Sequence, residues 1–349
     1  MRLQFTLQTL LLSAVVIWSS MAVFGPGGLV LAAVILAAVA YIRSSRSMWH
    51  AAGVVFLIFL CGGWLLLLLP AVESAREQAR ASTCTGSLYQ ITLAMRGYHD
   101  AHGCFPPAYI ADSNGKPTHS WRVLLLPYLD GQVLYQAYNF GEPWDGPNNR
   151  KLAQDKPSTY ACASSRNWTS GSPMTDYVAV AGPRTLWAKD KTIRLQNTSD
   201  GASNTIMLVE IANSDINWME PRDLSFEEVV HGSGFSSHHA RSNGYFYHDT
   251  PVVNVALADG RVQTLPQGLP SEMLEALLTI DGGEAVDIEE CANHAIPPRL
   301  NWTHCCAVVA LLASVLLLLL RPRRRELQGP QLSDGAPGNP GRQTVVGEF

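Results

Sequence analysis

Hydrophobic residues are concentrated in four uncharged stretches close to the two ends of the chain. The forty residues between Arg2 and Arg43 carry no charge, and Gly25-Pro26-Gly27-Gly28 divides them into two. Two more uncharged stretches follow, one before and one after a long mixed segment. Because about 20 apolar residues cross a bilayer, the pattern predicts four transmembrane helices, the first two forming a hairpin. The predicted spans are residues 3–24, 28–42, 48–72 and 305–320.

From residue 72 onward the pattern is typical of an amphipathic helix. Glu73 and Arg76 stand three residues apart, as do Glu77 and Arg80, and such pairs support a helix. The third span should therefore continue as a long helical spine, kinked at Pro70, until glycine and proline end it near residue 103. Apolar residues recur with helical spacing at Leu88, Ile91, Met95 and Tyr98.

Beyond the spine the pattern changes to short helices and then to strands. Asp259-Gly260 separates two β-type runs and predicts a tight hairpin. The order of elements indicates an α+β fold, in which a long N-terminal helical spine packs on an antiparallel β-sheet. The predicted elements are helical turns within residues 121–138, strands at 175–181, 205–212, 252–258 and 261–265, and a helix at 271–280.

Basic residues flank the hydrophobic stretches on one side only. If the chain crosses four times, Arg2, Arg43, Arg46 and the cluster at 321–325 all lie on the cytoplasmic side, where such residues are retained. Residues 72–304 are then exported, on the periplasmic or extracellular face of the cytoplasmic membrane. Alternatively, the first stretch is a cleavable signal peptide with Ser20-Met21-Ala22 as its cleavage site.

The charge of the central segment excludes a basic nucleic-acid footprint. Residues 72–304 carry 17 Lys or Arg against 26 Asp or Glu, which gives 17 − 26 = −9. The sequence therefore divides into five parts. These are a transmembrane hairpin with a cytoplasmic loop (1–47), a third span continuing into the spine (48–103), an exported α+β head (104–304), a fourth span (305–320), and a basic, then disordered, cytoplasmic tail (321–349).

Many short motifs are spread over residues 65–287. They include residues 67–77 (LLLPAVESARE), Tyr98-His99-Asp100, Phe105-Pro106-Pro107, residues 120–129 (SWRVLLLPYL), Glu142-Pro143-Trp144-Asp145, residues 200–206 (DGASNTI), residues 218–221 (WMEP), residues 254–260 (NVALADG) and Gly282-Gly283-Glu284. Together they resemble a bacterial exported family, the domain-of-unknown-function family 1559, which is also described as solute-binding and has a His-x9-Asp-Gly signature. The resemblance implies a fold similar to type IV prepilins and pseudopilins.

The chain departs from the family pattern in two places. Gln4 and Thr9 stand where a prepilin processing site has Gly and Glu, so processing of that type is not expected. At the signature, ten residues separate His248 from Asp259 and nineteen separate His239 from Asp259. An insertion around residues 241–251 has therefore displaced part of the signature, which leaves the role of its histidine open.

Four cysteines of the exported segment allow three disulfide pairings, and spacing alone does not choose among them. The resemblance implies Cys84 paired with Cys162, because related chains tend to carry cysteines at these positions. Cys104 would then pair with Cys291.

Several polar residues are candidates for metal binding. His238, His239, His248 and the following aspartates offer nitrogen and oxygen ligands, but adjacent histidines point apart in a strand. Asp200-Gly201 and Asp259-Gly260 offer oxygen ligands for calcium, although Asp-Gly is commoner as a tight turn. A polar loop and a hairpin turn are the simpler interpretations, so no cofactor is assigned and calcium stays an alternative.

The sequence favours a non-enzymatic binding or structural assembly domain over an enzyme, because known catalytic motifs are absent. Its expected partners are the lipid bilayer, an envelope polysaccharide or another polymer or solute, and pilin-like subunits, with no nucleic acid. The alternative is an envelope glycan hydrolase that uses carboxylates between Trp218 and Glu228. The candidate ligand-binding residues are Trp218, Glu220, His239, His248 and Asp259.

Overall fold

A computed structural model describes residues 7–24, 28–44, 48–165, 168, 171–188, 192–232, 234–244, 246–283 and 286–320. The chain divides into two compact units, Leu60–Ala307 and Met1–Phe59 with Val308–Phe349. Arg2, Arg46, the basic cluster at 321–325, the tail that follows it and Glu284 lie outside the described residues.

Four long helices and several short ones make up the helical part of the described residues. The longest, α3, runs without a break through Pro70 and ends before Gly103, whose φ of +74° stops a helix. The helices are α1 (Leu7–Phe24), α2 (Gly28–Ser44), α3 (Met48–His102), α4 (Trp121–Leu124), α5 (Gln132–Ala137), α6 (Phe226–Val230), α7 (Ser271–Leu278), α8 (Ile288–Ala292) and α9 (Trp302–Leu320).

The prediction of four transmembrane helices is wrong. Among the described residues, no helix combines the length and the apolar composition that crossing a bilayer requires. The α+β part of the fold prediction agrees with the structure.

In the unit Leu60–Ala307 the main sheet is antiparallel and has five strands. Strand β8 is its centre, because β5, β7 and β9 all pair with β8, while β3 pairs with β5. Two smaller pairs, β1 with β2 and β4 with β6, lie outside it. The strands are β1 (Tyr109–Ala111), β2 (Pro117–Ser120), β3 (Tyr177–Val178), β4 (Val180–Ala181), β5 (Ile206–Glu210), β6 (Leu224–Ser225), β7 (His239–Arg241), β8 (Thr250–Leu257) and β9 (Val262–Pro266).

The two faces of this sheet bury separate hydrophobic clusters. One contains Leu88, Ile91 and Met95 of α3 together with Leu208 of β5 and Ala256 of β8. The other buries α6, α7 and α8 against the opposite side chains of the same strands. Since side chains alternate along a strand, α3 packs on one face of the sheet, as the spacing of its apolar residues predicts.

The unit Met1–Phe59 with Val308–Phe349 has its own small apolar cluster. Val16 of α1, Ala32 and Val39 of α2, and Leu318 of α9 are buried in it. Helices α1 and α2 pack against each other.

Candidate metal centre

Four side chains with metal-binding chemistry meet at one edge of the sheet. Cys84 comes from α3, Cys162 from the turn after Ser158–Tyr160, Glu210 from the end of β5 and His239 from the start of β7. Their potential ligand atoms all lie within 4.8 Å of one another, and all four residues are buried. We call this set the thiol–imidazole cluster.

Helix α3 contributes two side chains from a single face, one to the cluster and one beside it. Glu77 and Cys84 are seven residues apart, which is about two helical turns, so both side chains point toward the sheet. Cys84 is fully buried, and the Tyr177 hydroxyl donates a hydrogen bond of 3.1 Å to its carbonyl oxygen. The backbone of the helix is thereby fixed at the cysteine.

The turn that carries Cys162 is held by Asp176, whose carboxylate accepts a hydrogen bond of 2.8 Å from the Cys162 N–H. Two further backbone N–H groups point at sulfur. The Ala163 N–H donates to Cys84 Sγ at 3.1 Å, and the Ser164 N–H donates to Cys162 Sγ at 3.4 Å. N–H donors stabilise a thiolate, which is the form that binds metal.

The two sulfurs of the cluster lie 2.7 Å apart. The structure thus brings together the pair Cys84 and Cys162 that the family resemblance implies, although both are free thiols. The other predicted bridge, Cys104 with Cys291, is not shown, because both residues are free thiols as well. The sulfur of Cys104 instead lies 3.8 Å from the carbonyl oxygen of His102.

Glu210 presents one carboxylate oxygen to the cluster and anchors the other. Its Oε2 accepts a hydrogen bond of 2.8 Å from Asn254, whose own amide oxygen accepts one of 2.8 Å from Thr264. Its Oε1 is buried and forms an ion pair of 3.0 Å with Nε2 of His239. A divalent cation bound in the cluster would replace the proton that this pair holds.

His239 occupies the centre of the cluster. Its Nδ1 lies 2.9 Å from Glu77, and its Nε2 lies 3.4 Å from Cys162 Sγ. The residue pairs with Val252 at the start of the β7–β8 hairpin, and residues 242–249 form the loop between these strands. The insertion noted in the sequence lies in this loop, so it lengthens the hairpin and leaves His239 within the sheet.

The ionisation of the cluster follows from these contacts. The hydrogen bond from Cys162 lowers the pKa of Cys84 to about 6, against the opposing effect of burial. The pKa of Cys162 is raised, because its proton is shared with Cys84 and because burial next to Glu210 disfavours a second anion. Burial works to lower the pKa of His239, but hydrogen bonds to Cys84, Glu210 and Glu77 raise it to about 11.

Glu77 completes the electrostatic arrangement. Burial works to raise its pKa, but hydrogen bonds from His239, Arg80 and Ser164 outweigh burial and lower it. The side chain remains 31% exposed, so Glu77 lies between the buried imidazole and solvent. Such a carboxylate on the second ring nitrogen of a histidine orients the ring and fixes its tautomer.

The other candidate residues from the sequence lie elsewhere. His248 is exposed in the β7–β8 loop, and the Asp259 carboxylate is bonded to Arg261 at 2.7 Å. Trp218 is fully buried, with its indole N–H bonded to the Ala153 carbonyl oxygen. Glu220 accepts a bond of 2.8 Å from Arg222. Of the five predicted ligand-binding residues, the cluster contains His239.

Two further carboxylates with predicted roles, Asp200 and Asp223, are bonded to other groups of the protein. The predicted calcium ligand Asp200 accepts hydrogen bonds from the N–H groups of Gly282 and Gly283. Asp223, one of the predicted hydrolase carboxylates, forms a buried ion pair with Arg122.

Sequence reasoning missed the combination rather than its members. The sequence assigns Cys84 and Cys162 to a disulfide and Glu77 to a helix-stabilising pair with Arg80. The spacing of Glu77 and Cys84 on one helix face was the available signal, since it places a carboxylate and a thiol side by side.

The fold and this cluster define an α+β domain with a buried set of metal-type ligands. Residues 73–234 match the model of a family described as protein of unknown function DUF1559 (SBP_bac_10), and this segment belongs to that family. The match includes Glu77, Cys84, Cys162 and Glu210 and ends just before His239. No curated protein and no solved structure matches the chain. The family is consistent with a solute-binding or surface domain.

Proposed function

We propose that this domain is a non-enzymatic binding or assembly domain, and that a single divalent metal ion with an affinity for sulfur holds it together, zinc being the best fit. The observation that carries the proposal is the convergence of two thiols, an imidazole nitrogen and a carboxylate oxygen within 4.8 Å in the interior. Four donors of these types are the usual number and chemistry for protein-bound zinc.

The types of ligand favour zinc over the harder cations. Calcium and magnesium prefer sets of oxygen ligands, whereas Cys84 and Cys162 supply two sulfurs. Two sulfurs with nitrogen and oxygen fit the tetrahedral site that zinc adopts. Copper binds such ligands tightly too, so the metal content of the purified protein is part of the test.

The charges of the cluster also favour a cation. Glu77 and Glu210 both contact the imidazole of His239, and the pKa of Cys84 lies near 6, so negative charge accumulates around a buried position. A divalent ion would offset this charge and bind Oε1 of Glu210 in place of the proton on Nε2 of His239. His239 would bind through Nε2 while Nδ1 keeps its hydrogen bond to Glu77, an arrangement common around zinc.

Metal binding requires one local adjustment. Tetrahedral zinc with Zn–S bonds of about 2.3 Å places two sulfurs roughly 3.8 Å apart, whereas the thiols of Cys84 and Cys162 are 2.7 Å apart. The sulfurs must therefore separate by about 1 Å, and Cys162 is the better placed to move because it lies in a turn rather than a helix.

Four protein ligands leave no open position on the metal. Catalytic zinc sites keep a position for water or substrate, and closed sites serve to hold structure. The cluster joins α3, the Cys162 turn, β5 and β7. The proposed ion would therefore fasten the spine helix to the sheet and stabilise the binding or assembly surface of the domain.

The wider role that we propose with this site is that of an exported domain at the cell envelope. The designation SBP_bac_10 of the family, which points to a solute-binding domain, supports it. A reporter fused near Gly201 tests this part of the proposal. A reporter that is active only in the reducing interior of the cell would contradict export. That result would not bear on the proposed metal site.

Metal analysis of the full-length protein tests the site. We expect about one zinc per chain, and cobalt substitution should give the thiolate charge-transfer absorption typical of sulfur ligation. Cys162→Ser and His239→Gln should each remove most of the metal, while Cys104→Ser, a cysteine outside the cluster, should retain it. Metal-free protein with a Cys84–Cys162 disulfide in non-reducing peptide mapping would contradict the proposal, and so would full metal content in Cys162→Ser.

A further inference from the structure

A second, open site lies on the outer side of the same unit, where α3 passes the turn between β8 and β9. A cleft of about 330 Å³ is lined by Tyr89, Leu93 and Arg96 of the helix and by residues 259–263 of the hairpin. The three helical residues are four and three positions apart, so they form one stripe of the helix. We call this site the hairpin cleft.

The apolar wall of the hairpin cleft is exposed. Tyr89 is 50% and Leu93 49% exposed, which is unusual for neighbouring large apolar side chains on a helix that is otherwise buried on its sheet side. Such neighbours on a surface are typical of a contact site. An aromatic ring beside a leucine offers a flat apolar face about the size of one sugar ring.

The hairpin cleft also carries two guanidinium groups, Arg96 on the side of the helix and Arg261 on the side of the hairpin. Arg261 donates to the Asp259 carboxylate at 2.7 Å and to the Ser203 carbonyl oxygen at 3.1 Å. Arg96 donates to the Asp259 carbonyl oxygen at 3.4 Å and lies against Gly260. Gly260 has a φ of +92°, which the tight turn requires, and the Arg96 side chain packs against it.

These contacts give the hairpin cleft a net positive charge inside an acid-rich segment. Arg96 and Arg261 outnumber Asp259 by one, whereas residues 72–304 have a net charge of −9. The acid-rich segment around the hairpin cleft repels a densely charged polyanion. It repels a ligand with a single carboxylate on an apolar body much less. Arg261, which two hydrogen bonds hold, would lose little side-chain entropy on binding a carboxylate.

We propose that the hairpin cleft binds one uronate residue, a sugar ring that carries a carboxylate, with the carboxylate on Arg96 and Arg261 and the ring against Tyr89. The volume of the hairpin cleft suits a single monosaccharide unit rather than a larger body. The unit can be a free sugar acid or part of an acidic polysaccharide. The proposal goes beyond the metal site, which shares none of these residues.

Titration calorimetry with the full-length protein tests this inference. The probes are D-galacturonate, a galacturonate trimer, neutral D-galactose and a tetraglutamate peptide. We expect galacturonate to bind at least tenfold more tightly than galactose. Tighter binding of the trimer would assign a polysaccharide as the source, and equal binding would assign a free sugar acid. Tighter binding of the peptide would overturn the carbohydrate proposal.

Substitutions locate the binding. Arg96→Gln should weaken galacturonate binding at least tenfold, and Tyr89→Ala should weaken galacturonate and galactose together. Arg76→Gln removes an exposed arginine of the same helix outside the hairpin cleft and should leave binding unchanged. Unchanged binding in folded Arg96→Gln would refute the inference. Repeating the titration with chelator-treated protein separates this result from failure of the metal site.

Discussion

Glu77 and His239 are 162 residues apart in the sequence, yet Oε1 of Glu77 lies 2.9 Å from Nδ1 of His239. The contact joins the spine helix to the edge strand of the sheet. It also leaves the other ring nitrogen, Nε2, facing Cys162 and Glu210. This single hydrogen bond therefore decides which nitrogen of His239 faces the proposed metal.

Glu77→Gln should weaken metal binding without removing any ligand. Glutamine keeps the size of the side chain but loses the charge that holds the imidazole, and changes of this kind typically cost about 10- to 100-fold in metal affinity. Competition against a chromophoric chelator measures the change. Arg80→Gln is the matched control, because Arg80 bonds to the other oxygen of Glu77 at the exposed side. An unchanged affinity in Glu77→Gln would show that Glu77 does not orient the ligand.

Metal binding should release about two protons near pH 7. In the metal-free protein the pKa of Cys162 is raised and that of His239 is about 11, so both carry a proton, while Cys84, with a pKa of about 6, is mostly ionised. The free state thus holds more protons than the bound state, and affinity must rise with pH, by about tenfold per pH unit for each proton released.

Calorimetry in buffers of different ionisation enthalpy counts the released protons. The same measurement on Cys104→Ser provides the control, since this cysteine lies outside the cluster and the variant should release the same number of protons. A metal affinity that does not change between pH 6 and pH 8 would contradict the assigned protonation states.

The spine helix and the β8–β9 hairpin were predictable from local sequence. Leu88, Ile91 and Met95 repeat at helical spacing, and Asp259-Gly260 marks the turn, where Gly260 has a φ of +92°. Both signals depend on residues close together in the chain. The number of membrane spans was predicted from apolar composition alone and proved wrong for the described residues.

The thiol–imidazole cluster could not be predicted in the same way. Its contacts depend on which strands become neighbours, for example on the placement of β7 beside β8 with His239 opposite Val252. The insertion in the hairpin loop concealed this register, because the spacing from His239 to Asp259 no longer fits the signature. Pairing over long sequence distances is not encoded in local spacing.

Trp218 should contribute to stability rather than to sugar binding. Its side chain is fully buried, stacks on Tyr160 with ring centroids 6.3 Å apart, and donates to the Ala153 carbonyl oxygen. Trp218→Ala should therefore lower the free energy of unfolding by about 3 to 5 kcal/mol. Denaturant unfolding measures this, with the half-exposed Trp168→Ala as a control that should change little. A stable Trp218→Ala variant that has lost glycan binding would instead support the hydrolase alternative.

Removal of the metal should lower the unfolding temperature, because an ion that binds only the folded state stabilises it by mass action. Free zinc at 100 times its dissociation constant contributes about 2.7 kcal/mol. The cluster ties α3 to β5 and β7, so chelation should loosen the spine helix in hydrogen exchange around Cys84 before the distant helix α7.

If Cys84 and Cys162 form a disulfide instead, the unfolding temperature should respond to a reducing agent and not to a chelator. A reducing agent would then lower the unfolding temperature and a chelator would not, whereas the metal site predicts sensitivity to the chelator and tolerance of the reductant. Cys84→Ser should abolish whichever response is present, and Cys104→Ser should abolish neither. Because the two sulfurs cannot bind zinc and form a disulfide at once, these two additions made to the same protein decide between a metal centre and a covalent bridge.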